Sequence, residues 1–66
     1  MVDVLVFIHR DASLTRIDAI ARELEQAGLK VKGKYASVGI VAGSVEDRSL
    51  LAQFQKVKDV TAVTEQ

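Results

Sequence analysis

The chain has no cysteine and a single histidine, His9. Without thiols there are no disulfides and no thiolate metal sites, and the redox compartment is left open. One imidazole cannot make a histidine cluster, so no metal or cofactor site is expected. Neither sign of charge is in excess, with nine Lys and Arg against nine Asp and Glu. That balance argues against a nucleic-acid partner, because phosphate binding needs a net basic surface. No apolar run approaches the roughly 20 residues needed to span a bilayer, so no membrane partner is expected. Met1 leads directly into apolar sequence, with no basic start or cleavage-like site. Nothing reads as a secretion signal, and a cytoplasmic location is the default expectation. The 66 residues make one domain, 1–66. A core of that size supplies only about 3–5 kcal/mol. Small domains often add disulfides, a metal or oligomerisation. Without thiols, self-association or docking onto a larger protein is the support that remains.

The first segment is apolar on both parities. Val2, Val4, Val6 and Ile8 fall on one face of an extended strand, Leu5 and Phe7 on the other. Such a strand belongs in the middle of a sheet. His9 to Ala12 form a polar connection, and Ser13 or Thr15 can cap a helix, Thr15 with Asp18 as a capping box. Leu14, Ile17, Ile20, Ala21 and Leu24 recur at helical spacing. Gly28 stops that helix, and Leu29 can fold back onto its last turn. Lys30, Lys32 and Lys34 then alternate with Val31, Gly33 and Tyr35, the pattern of a half-exposed edge strand whose lysines discourage unwanted pairing. A turn near Ser37–Gly39 leads to a third strand. Ser44 with Asp47 suggests a second capping box, before a helix carrying Leu50, Leu51, Phe54 and Val57. Lys58-Asp59 turns the chain into a last strand, Val60 to Glu65.

The order strand, helix, strand, strand, helix, strand, with right-handed crossovers, puts both helices on one face of a four-stranded antiparallel sheet. This is the α+β, ferredoxin-like βαββαβ two-layer sandwich. The expected core is Val2, Val4, Val6, Ile8, Ile17, Ile20, Leu24, Ile40, Leu51 and Phe54. Leu5, Phe7 and Val41 are expected on the uncovered face, and an apolar patch there reads as an interaction site.

Catalytic readings are weak by comparison. His9-Arg10-Asp11 spells the kinase catalytic-loop tripeptide, but a kinase needs a far larger chain with further motifs. His9 and Asp11 have no nucleophile or second base beside them. The lysines lie in a hydrated row, and a domain this small is not expected to hold a substrate cavity. Gly39, Gly43 and Ser44 fit neither the dinucleotide nor the P-loop spacing. The fold is shared by many functions, and residues exclude some of them. Base-stacking aromatics are missing from the third strand, paired cysteines are absent, and the loop after the first strand lacks the acylphosphatase pattern. No catalytic residue is expected.

The second half, Tyr35 to Val45, a helix with Leu51 and Phe54, then Val57 to Glu65, resembles the subtilisin-propeptide-like protease inhibitors. The shared pattern is an aromatic, a small-residue strand, a helix, and a turn into Val-x-x-Val followed by an acidic residue. Val60, Val63 and Glu65 match that ending. The resemblance implies a non-enzymatic domain that docks its open sheet face on a subtilisin-like serine protease, as chaperone or inhibitor. Leu5, Phe7 and Val41 would make the contact face, with Val63, Thr64, Glu65 and Gln66 near the protease cleft. One residue follows Glu65. At about 3.3 Å per residue it cannot reach a cleft unless the last strand unravels, so docking is the expectation and tight inhibition is not. The alternative is a homodimer built sheet to sheet, as ACT-like regulatory or small-ligand-binding modules behave.

Overall fold

The structure is a computed structural model that describes all 66 residues. Its elements are β1 (Val2–Ile8), α1 (Leu14–Gln26), β2 (Lys30–Tyr35), β3 (Ile40–Val45), α2 (Leu50–Gln55) and β4 (Val60–Glu65). The strands form one antiparallel sheet in the order β2-β3-β1-β4. The fold is ferredoxin-like α+β, with the two apolar strands β1 and β3 in the middle. No helix is long and apolar enough to cross a membrane.

Helix α1 begins at Ser13, whose hydroxyl accepts from the Arg16 backbone N–H at 3.1 Å. Thr15 lies inside the helix. The far end is a Schellman motif. The Leu29 N–H donates to the Leu24 carbonyl, the Gly28 N–H donates to the Glu25 carbonyl, and Gly28 sits at φ +116°. Leu29 is thereby folded onto Leu24, and both are buried. An ideal Cβ on Gly28 would lie 2.7 Å from Cδ1 of Leu50, so this glycine also lets the start of α2 approach.

The second helix does not start as its sequence suggests. Ser44 belongs to β3 and is buried, because Val45 continues the ladder to pair with Val2. Asp47 instead accepts from the Ser49 N–H at 2.9 Å, an Asx-type turn just ahead of α2. The Ser49 amide, and then its hydroxyl, hold the Asp47 carboxyl below the usual aspartate range.

The core is one cluster between sheet and helices. It comprises Val4, Val6, Ile8, Val41 and Val45 from the sheet, Ile17, Ile20, Ala21 and Leu24 from α1, Leu29, and Phe54 from α2. Two expectations about β3 are reversed. Val41 pairs with Val6 and is fully buried under the helices. Ile40 pairs with Phe7 and lies on the uncovered face, half-buried. The physical reason is local. Gly43 must face the helices, since a Cβ there would sit 2.5 Å from the Lys30 carbonyl oxygen and 3.0 Å from Leu29 Cδ1. Side chains alternate along a strand, so Val41 and Val45 share that face.

Edge strand β2 carries a bulge. Val31 pairs with Gly43 and Gly33 with Ala42, leaving Lys32 as the extra residue. Bulges shift the side-chain parity along a strand. Val31 therefore packs on the core, while Gly33 and Tyr35 come to the uncovered face. The three lysines are split as well. Lys30 and Lys32 meet Glu46 and Asp3 on the uncovered side, whereas Lys34 reaches Asp18 on α1.

Candidate functional site: the uncovered sheet face

Three rows of side chains cross the face opposite the helices. The central row is Gly33, Ala42, Leu5, Thr64, and beside it runs Tyr35, Ile40, Phe7, Ala62. The third row is Lys30, Ser44 and Asp3. Leu5, Phe7, Ile40 and Ala42 are half-buried, sheltered only by their neighbours in the sheet, and the Tyr35 side chain is open to solvent. The Tyr35 ring lies back over Gly33, whose ideal Cβ would be 3.2 Å from the tyrosine hydroxyl. An aromatic laid across an edge glycine fills the gap a missing side chain leaves.

Charge is confined to one end of the face. Lys32 Nζ sits 3.0 Å from Asp3, and Lys30 Nζ 3.6 Å from Glu46. All four side chains are more than half exposed, so these pairs contribute little stability. Ser44, buried in the third row between Lys30 and Asp3, donates its hydroxyl to Met1 Sδ at 3.9 Å. The total accessible surface is 4210 Å². A compact monomer of this mass presents about 4,100 Å². What marks the face is its composition, then, and not an excess of area.

The residues named from the sequence divide between the two faces. Leu5, Phe7 and Thr64 lie together on the uncovered side. Val41 does not join them, for the reason given above. Val63 pairs with Val6 and packs against the core, so its side chain points toward the helices. Glu65, opposite Val4, takes an ion pair from Arg48 at 2.6 Å on that same side. The backbone of Gln66 is tied to the sheet, its N–H donating to the Asp3 carbonyl at 2.7 Å. The Val63–Gln66 segment is therefore committed to β1 and is not free to lie extended in a cleft. Four residues not assigned to this face from the sequence, Tyr35, Ile40, Ala42 and Ala62, complete it. The readable signal for β3 was Ser44, since a polar residue is better placed opposite the core.

The β4 end of the sheet is anchored at a second bulge. Phe7 pairs with Ala62 and Ile8 with Val60, and the extra residue, Thr61, donates its hydroxyl to the Phe7 carbonyl. Asp59 precedes it at φ +72°, a conformation aspartate tolerates. Arg16 from α1 holds this turn, with Nε 3.0 Å from Asp59 Oδ2 and a longer bond to the Lys58 carbonyl.

One cavity, of about 350 Å³, lies at the end of the sheet beside the β1–α1 loop and the β2–β3 turn. Ligand cavities begin at roughly 300 Å³, so this pocket, partly open to solvent, is at the lower end of that range, larger than expected for so small a domain. The two loops are 27 residues apart in sequence, from His9 to Ala36, and only the sheet order brings them together. No lysine lines the cavity. Nowhere do three His, Asp or Glu side chains gather in a way that would hold a metal ion.

Comparison of the chain with protein-family models, with curated proteins and with solved structures finds no match.

Proposed function

We propose that this chain is a non-enzymatic protein-interaction domain that docks a partner on the uncovered face of its sheet, in the manner of the subtilisin-propeptide-like inhibitors it resembles. The observation that carries the reading is the apolar row Tyr35, Ile40, Phe7, Ala62 beside Leu5 and Ala42, with no helix over it. Contiguous apolar surface on a small domain favours burial against another surface. An aromatic pair flanked by aliphatic residues is also the composition that dominates binding energy. Partner binding through this face does not require the β4 segment to leave the sheet.

The test is binding and inhibition of a subtilisin-type serine protease by the whole chain, with Phe7→Asp as control. The expected result is saturable binding that Phe7→Asp abolishes while its circular dichroism stays unchanged. No binding at high micromolar chain rejects a protease partner.

A second reading has its own supporting observation. The row Gly33, Ala42, Leu5, Thr64 is mostly small, and two sheets pack face to face at about 10 Å when the side chains between them interdigitate. A sheet-to-sheet homodimer would use that flatness. Light scattering decides it: a strict monomer at high concentration removes the dimer.

A further inference from the structure

We infer that the cavity between the β1–α1 loop and the β2–β3 turn is a binding site for a small phosphate monoester with an apolar or aromatic body. His9 and Arg10 line one side, and Ala36 to Gly39 the other, with Ile17 of α1 contributing apolar surface. Arg10 is the one arginine or lysine at the cavity, and no carboxylate lies within 4 Å of it. A guanidinium with nothing bound presents its fork of donors to a phosphate.

The histidine adds a second donor. Its Nδ1 accepts from the Asp11 backbone N–H at 3.2 Å, which places the neutral ring's proton on Nε2. The same Nδ1 is 3.7 Å from the Asp11 carboxylate. The Asp11 carboxylate lies on the Nδ1 side of the ring. Ser37 also lines the cavity and is the one hydroxyl-bearing residue there. Arginine, histidine and serine are all residue types that donate to a phosphate, which offers three acceptor oxygens.

The remaining lining is apolar. Val38 is 65% exposed at the tip of the turn, and Ile17 and Ala36 also line the space. An exposed valine beside an arginine gives the apolar body of a ligand something to cover. The turn is held open by Gly39 at φ +70°, whose ideal Cβ would lie 2.9 Å from the Ile8 carbonyl oxygen. The Ile8 N–H donates back to the Gly39 carbonyl at 2.7 Å, so the two loops are fixed to one another. The site is at the end of the sheet, apart from the Leu5–Phe7 face, and stands or falls independently of partner docking.

The experiment is titration of the ¹⁵N-labelled full chain with phenyl phosphate and, separately, with inorganic phosphate, followed by two-dimensional NMR. The expected result is saturable movement of the amides of His9, Arg10, Ser37, Val38 and Gly39, with phenyl phosphate the tighter of the two. Arg10→Gln should weaken phenyl phosphate about tenfold, as losing a hydrogen bond to a charged group does. Val38→Ala, at an exposed position, should remove the preference over inorganic phosphate. Shifts centred on Lys30, Lys32 and Lys34, equal affinity for both ligands, or indifference to Arg10→Gln would each overturn the site.

Discussion

Introducing a threonine at Val41 should destabilise the protein far more than introducing one next door at Ile40. Val41 and threonine have nearly the same shape, so the change leaves no cavity and isolates the effect of a hydroxyl. Val41 is 0% exposed, facing Val6 in the layer under the helices. A hydroxyl buried there without a partner costs about 1–3 kcal/mol on mutational scales. At Ile40 the hydroxyl reaches water on the uncovered face, and the loss is the two-carbon ethyl arm of a half-buried side chain, about 0.8 kcal/mol in all when each carbon is only half buried. The total available is only about 3–5 kcal/mol for a domain this size. A 2 kcal/mol loss would lower the melting temperature by roughly 8–16 °C in a domain of 60–100 residues. Urea unfolding followed by circular dichroism reads the same quantity, with the midpoint falling by about 1–2 M for a slope of 1–2 kcal/mol per molar. If Ile40→Thr costs as much as Val41→Thr or more, the register of β3 against β1 is wrong and the composition of the open face with it.

Three further outcomes follow from local geometry. Gly28→Ala forces a side chain to φ +116° and against Leu50, and should cost roughly 1–2 kcal/mol in urea unfolding from the backbone alone. Arg16→Gln removes the partly exposed pair with Asp59 and the bond to Lys58, and should cost about 1 kcal/mol or less; hydrogen exchange should quicken first at Val60 and Thr61. Asp47 has its folded pKa depressed by Ser49, so its stabilising contribution is complete above the ordinary aspartate value near 3.9 and disappears as pH falls through the lower folded value. Asp47→Asn should therefore flatten the stability profile below about pH 4, while leaving its shape near neutrality unchanged.

The order of elements was legible because each carries its own period: the doubly apolar β1, the helical stripe ending at Leu24, and the glycine stop followed by Leu29. That last pair was readable down to its contact, since a Schellman motif is written in adjacent residues. The parity of β3 was harder, because Ile40-Ala42 and Val41-Val45 are both apolar sets. Close approach of Leu29 and Lys30 to Gly43 decides between them, and that approach is tertiary. The Ser44–Asp47 pattern looked like a cap, but pairing of Val45 with Val2 claimed Ser44 for the sheet. Propensity at a boundary yields to the ladder when the ladder is longer. The bulge at Lys32 leaves no trace in composition, although it is what brings Tyr35 to the open face. Of the residues suggested for binding, Leu5 and Phe7 followed from periodicity and are placed as expected, with Thr64 beside them. Val63 and Glu65 came from a family-like ending, which carries no information about which way a strand faces. The cavity was invisible for a different reason: its two walls meet only once the sheet order is known.

Docking through the Leu5–Phe7 face is tested most directly by mapping contact on the labelled chain during titration with a subtilisin-type protease. Binding there should broaden or shift Leu5, Phe7, Ile40, Ala42, Ala62 and Thr64 and spare the exposed side of α1. Perturbation confined to α1, or a spectrum unchanged at saturating protease, would contradict it.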